Sequence, residues 1–140
     1  MAMKATRVDT WAATIKDQPG GLSAKLATLA AAKVNLEFII ARRSAEKPGT
    51  GVVFVTPISG AAGLAAAKKA GFKKGASMHT VRIEGPQKAG QGAVITAALA
   101  DAGINLRGFS AAAIGAKFVA HAAVDTAAAA TKAMKVIAKL

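Results

Sequence analysis

Cysteine is absent from the chain, and so is tyrosine. No disulfide, thiolate nucleophile or cysteine-based zinc site can be built without cysteine. Aromatics are scarce: five phenylalanines and one tryptophan leave little on which nucleobases could stack. Acidic side chains number 7 against 19 Lys and Arg, for a formal net charge of +12. Such a balance raises nucleic acid as a partner. The cations are scattered, however, with small clusters only at Arg42, Arg43 and Lys47 and at Lys68, Lys69, Lys73 and Lys74. That is the pattern of a solvated basic surface. Long apolar runs are missing too. Lys25, Lys33, Asn35 and Glu37 cut the most apolar stretch, which excludes a spanning helix there. "MAMKATRVDTW" lacks the apolar core of a secretory signal. A soluble cytoplasmic protein is expected.

What is present is apolar and small. Apolar residues make up 53% of the 140, charged ones 19%, and about a quarter are alanine. This excludes disorder and favours close-packed helices. The length fits one compact domain, or two small ones sharing a core.

Catalytic and cofactor motifs fail on inspection. "GPQKAGQG" has the glycine spacing of a phosphate-binding loop, but Gln91 and Gly92 follow where Lys and Ser or Thr are needed. "LRGFSAA" opens like an RNA-recognition motif, yet Ser110 and Ala111 break the continuation. His79 falls on the apolar phase of a strand with Val81 and Ile83, and His121 lies in the strand-like "FVAHAAV". Both read as core or interface histidines. No third nitrogen or thiol donor accompanies them, and no Ser–His–Asp set can be placed. The expectation is a protein that is not an enzyme and carries no metal or cofactor.

The chain repeats itself at an offset of about 70 residues. "LATLAAAKVNLEFIIA" then lies over "TAALADAGINLRGFSA". Gly20 falls on Gly90, Leu29 on Leu99, Asn35 on Asn105, Leu36 on Leu106 and Ala41 on Ala111. Two copies of one unit are inferred, 1–77 and 78–140, joined near Ser77.

In the first copy, Trp11, Ala13 and Ile15 alternate with polar residues, a strand. Leu22, Leu26 and Leu29 recur at helical spacing, predicting a helix from about Gly21 to Ala32. Asn35 opens a second strand, "EKPGTG" turns, and "VVFVTPI" returns as a third. "GAAGLAAAKKAG" is a second helix stopped by Gly71, and "FKKGAS" could be a fourth strand. The order βαββαβ is that of a ferredoxin-like fold, α+β, with both helices on one face of an antiparallel sheet. The second copy follows suit: "MHTVRIEG", a helix in "GQGAVITAALADAG", the hairpin "INLRGFSAAAIGAKFVAHAAV", and a last helix capped by Asp125. No final strand is visible after that helix, which leaves a sheet edge open. "FII" at Phe38, Ile39 and Ile40 puts apolar side chains on both sheet faces. Together these features predict a homodimer or a higher even oligomer.

The loop "DQPGGL" joins the first strand to the first helix. Pro19 stiffens the approach, and Gly20 and Gly21 clear side chains from the free N–H groups of the helix start. That end also favours negative charge, so a small carboxylate could bind there. Asp17 and Asn35 would meet an ammonium group. A turn that needs its glycines for shape alone stays open as the other reading.

"D-Q-P-G-G-L", the spaced Leu26 and Leu29, and "V-N-L" at Val34 to Leu36 resemble the signature of the ACT domain. "LADAGINLRGFSA" in the second copy is similar, so nearly the whole chain resembles a tandem ACT protein. At the second loop Gly85 falls where Asp17 stands, the Pro-Gly pair is missing, and "GPQKAGQG" reads as longer. The resemblance implies an amino-acid-binding regulatory module that senses its effector at an interface between units. It implies contacts from Asp17, Gln18, Pro19, Gly20, Gly21, Leu22 and Asn35, and from Gly90, Gln91, Gly92 and Asn105. Some members of that family bind no known ligand and only hold chains together. A ligand-free pairing module is therefore the alternative, with a basic nucleic-acid binder on the same fold behind it.

Overall fold

The computed structural model describes residues 3–75 and 78–140. The elements run β1 (Lys4–Val8), β2 (Trp11–Lys16), α1 (Gly21–Ala31), β3 (Phe38–Arg43), β4 (Thr50–Thr56), α2 (Ala61–Lys69), β5 (Lys73–Lys74), β6 (His79–Pro86), α3 (Gln91–Asp101), β7 (Leu106–Ile114), β8 (Lys117–Val124) and α4 (Ala127–Ala138). They form two four-stranded antiparallel sheets, ordered β3-β4-β2-β5 and β1-β6-β8-β7. Both are ferredoxin-like, as the alternation and helical spacing predict.

The compact unit Asp9–Gly75 holds the first sheet. Alternation along β2 and β4 turns Ala13, Val53 and Val55 onto the helices, where they bury with Leu29 of α1 and Ala67 of α2. Phe38 and Ile40 are half-buried on the opposite face, and Ile39 is 46% exposed at the edge. Gly71, with φ +86, ends α2 as expected. "FKKGAS" supplies only the two-residue β5; its last two residues, Ala76 and Ser77, lie outside the described residues, and so does the expected joint.

The second unit corrects the expected boundaries. It comprises residues 3–8 together with 78–140, rather than 78–140 alone. β1 pairs antiparallel with β6, Lys4 opposite Glu84 through Val8 opposite Thr80. It fills the edge left without a final strand by the sequence reading. An open ladder edge next to β6 is satisfied by backbone from the other end of the chain. The missing strand is therefore no argument for an oligomer. The core here is Val81, Ile83, Phe118, Ala120, Ala122 and Val124 under Ile95 and Leu99 of α3 and Ile137 of α4, with Met3 packed over Gly85. The cap of α4 is Thr126, not Asp125: its side chain accepts from the Ala129 N–H at 3.0 Å. Both residue types cap helices, and the chain enters this one a residue later.

On the sheet face away from these helices, Glu84 sits between Lys117 (2.6 Å) and Arg82 (3.6 Å). The Lys117 hydrogen bond, and then the charges of Arg82, Lys117 and Lys4, hold its carboxyl below the ordinary value of 4.5 against the opposing effect of burial. His79 meets the Arg7 guanidinium through Nδ1, and His121 is buried in β8. No group of three or more His, Cys, Asp or Glu suited to a metal occurs among the described residues. No helix among them is long and apolar enough to cross a membrane.

Candidate functional site

The two strand-to-helix loops have one geometry. Four residues link β2 to α1 (17–20) and four link β6 to α3 (87–90). The second loop is thus no longer than the first, because β6 continues through Gly85 to Pro86. Gln87, not Gly85, stands where Asp17 does. Each loop is tied by matching backbone bonds. Asp17 N–H donates to the Gly49 carbonyl at 3.1 Å, and Gln87 N–H to that of Ala116 at 2.8 Å. Gly21 N–H donates to the Gln18 carbonyl at 3.0 Å, and Gln91 N–H to that of Lys88 at 3.3 Å.

Both helices start from a left-handed glycine, Gly20 at φ 84, ψ −7 and Gly90 at φ 82, ψ 4. Neither receives a side-chain cap. Helix geometry leaves the first amides without an intrahelical acceptor, and at α1 those after Gly21 belong to Leu22 and Ser23. A Cβ on Gly20 would meet nothing within 4 Å, so the approach is open. Gly21 differs from expectation. A Cβ there would come 2.1 Å from the Lys16 carbonyl oxygen, so this glycine serves close packing of helix on strand rather than access. The Leu22 side chain packs on the core and leaves its amide as the group at the mouth.

Asp17 accepts from Arg43 Nε at 2.6 Å, at the end of β3. Sequence reading marked Arg43 only as part of a charge cluster. The pair puts a cation and an anion beside the α1 start. Gln18 and Pro19 are exposed.

At the second loop Gln91 stands where Gly21 does. Its side chain is 2% exposed and its Nε2 donates to the Pro86 carbonyl at 2.5 Å. It packs beneath the second loop, and its Oε1 is buried with no hydrogen-bond partner. Gln91 is thus turned away from the loop surface on which Gly90 is exposed.

Asn35 does not join the loop of its own unit. Lys16 pairs with Thr50 and Arg43 with Gly51 at one end of the sheet; Phe38 pairs with Thr56 at the other. Asn35 precedes Phe38, so it lies at that far end, about 16 Å along α1 from the loop. It also falls outside the strand it was expected to open. Asn105, just before β7, is separated from Gly90 in the same way, since Leu106 pairs with Val124 and Ile114 with Lys117 at opposite ends. Strand register, invisible in the sequence, decides this.

No family model and no curated protein matches the chain in sequence. Solved structures match in fold. Protein BT0572 from Bacteroides thetaiotaomicron aligns at TM-score 0.77 and 16% identity, covering 94% of this chain and 88% of that one. The ligand-free regulatory subunit of aspartate kinase from Thermus thermophilus aligns at TM-score 0.68 and 17% identity, covering 99% and 96%. Aspartokinase III of E. coli, in complex with lysine and aspartate, aligns at TM-score 0.55 and 16% identity, covering 99% of this chain and 32% of that one. The chain has an ACT-like fold.

Proposed function

We propose that this chain is an amino-acid-binding regulatory module whose effector places its carboxylate at the start of α1. The observation that carries the reading is the uncapped helix start at Gly20, open above and flanked by the Asp17–Arg43 pair. A carboxylate there gains charge-assisted hydrogen bonds from the Leu22 and Ser23 amides, about 1.5–3 kcal/mol each. Asp17 takes the ammonium end. The fold it shares with a regulatory subunit of aspartate kinase, and with an aspartokinase holding lysine and aspartate, supports the same class of effector. Catalysis has no place in this reading. Asn35 takes no part at this site, since the unit keeps loop and asparagine at opposite ends of its sheet.

A pairing module without an effector is the second reading, favoured by the edge strand β7, which carries no charge from Gly108 to Ile114. Thermal-shift screening against the twenty amino acids separates the two, because binding to the native state raises the melting temperature. The sensor reading expects a rise with at least one amino acid, and its loss in Gly20→Val, where a β-branched residue is strained at φ +84 and the turn that presents the amides is disturbed. No rise with any amino acid leaves the pairing reading as the better account.

A further inference from the structure

We infer that the exposed face of α4 binds the phosphate backbone of a nucleic-acid duplex. Lys132, Lys135 and Lys139 follow one another at steps of three and four residues, which puts them on one side of the helix. At the helical rise the row is about 10 Å long. All three side chains are exposed. None has an ion-pair or hydrogen-bond partner among the described residues. α4 holds no acid, and Glu84 and Asp125 of the same unit are already held by Lys117 and Arg107. Cations elsewhere have local work. Lys25 Nζ donates to the Ala70 carbonyl at the end of α2, and Lys68 and Lys69 stand in the last turn of that helix, where its dipole favours them. Lys74 meets Asp9 at 3.1 Å, and Lys73 blunts the sheet edge at β5. The dipole of α4 accounts for Lys135 and Lys139 but not for Lys132, in the middle of the helix.

Charge and side-chain chemistry select the occupant. A chain of net charge +12 draws polyanions. Each strand of a duplex carries a phosphate about every 3.4 Å of axis, so the row spans about three of them. Lysine meets a phosphate as a point charge and needs no fixed fork of donors. The other exposed residues of α4, Ala127, Ala128, Thr131 and Ala138, are small and hold nothing away from the backbone. They also give a protein partner no large anchor to bury. None of the six aromatic side chains is exposed, so the bases of a single strand have nothing to stack on. Contacts of this kind fix a protein on the duplex without reading its sequence. This inference rests on α4 and does not require an effector.

The salt dependence of binding gives the test. A fluorescently labelled DNA duplex of arbitrary sequence is titrated with the chain at several salt concentrations and followed by anisotropy. Wild type is compared with the combined variant Lys132→Gln, Lys135→Gln, Lys139→Gln. The control is Lys68→Gln, Lys69→Gln, Lys73→Gln, which removes the same charge elsewhere. Binding through α4 predicts saturable wild-type binding whose log affinity falls linearly with log salt. It predicts that the α4 variant loses about 2–3 from that slope and at least about tenfold in affinity, with its melting temperature kept, and that Lys132→Gln alone loses about 1 from the slope. The control keeps most of the affinity, and a duplex of unrelated sequence binds equally well. No wild-type binding at low salt, an equal loss in the control, or tighter binding to polyglutamate than to the duplex overturns it.

Discussion

Lys33 is the one described non-glycine residue at positive φ, 60°. It ends α1 as Gly103, at φ 74, ends α3. The hydrogen bonds match as well: Val34 N–H reaches the Leu29 carbonyl at 3.1 Å, and Ile104 N–H that of Leu99 at 2.9 Å. One helix stop is thus built twice, once with the residue it favours. A side chain in this region costs about 1–2 kcal/mol. Lys33→Gly is therefore expected to raise stability by about 1 kcal/mol in urea unfolding, after allowance for the extra freedom of glycine in the unfolded chain. The glycines were legible as a loop signal, but their separate tasks were not. Gly20 meets a need of φ, whereas Gly21 answers a contact with the Lys16 carbonyl that only the folded backbone creates. Gln91 shows the same limit: it read as a ligand contact and is a buried prop.

Among the elements, those with strong periodicity were readable. The helices around Leu22, Leu26 and Leu29 and around Ile95 and Leu99, and the strands of both hairpins, stand within a few residues of expectation. β1 was not readable. "KATRV" has little alternation, and its partner β6 begins more than seventy residues later, where no local pattern reaches. Its hold on the second unit can be measured at Met3, which is 7% exposed and packs over Gly85. Met3→Ala is expected to lower stability by about 2 kcal/mol in denaturant unfolding; no change would show that this end of the chain is not docked. Across the same three strands runs the Lys4–Glu84–Lys117 arrangement. The folded state lowers the Glu84 pKa, so its contribution is present above the unfolded value near 4.5 and is lost as pH falls through the lower folded value. Glu84→Gln should cost about 1 kcal/mol or less at neutral pH, as partly exposed ion pairs do. The gap between variant and wild-type melting curves should close as pH is taken below 4.5. A gap that persists there contradicts the ion-pair explanation.

For the molecule as a whole, the internal repeat carried the fold, because Gly20 with Gly90 and Asn35 with Asn105 mark equivalent points in two ferredoxin-like units. It did not carry the site. Loop and asparagine look adjacent in a linear motif, and strand register sets them at opposite ends of each sheet. The proposed effector is therefore held by the loop at the start of α1, without the asparagine of the same unit. Amide-resolved NMR on the isotopically labelled chain tests that proposal most directly. Each of the twenty amino acids is titrated in, and the backbone amides are followed. The account predicts that at least one amino acid produces saturable shifts largest at Gly20, Gly21, Leu22 and Ser23. Saturable shifts confined to other parts of the chain, or none with any amino acid, would contradict it.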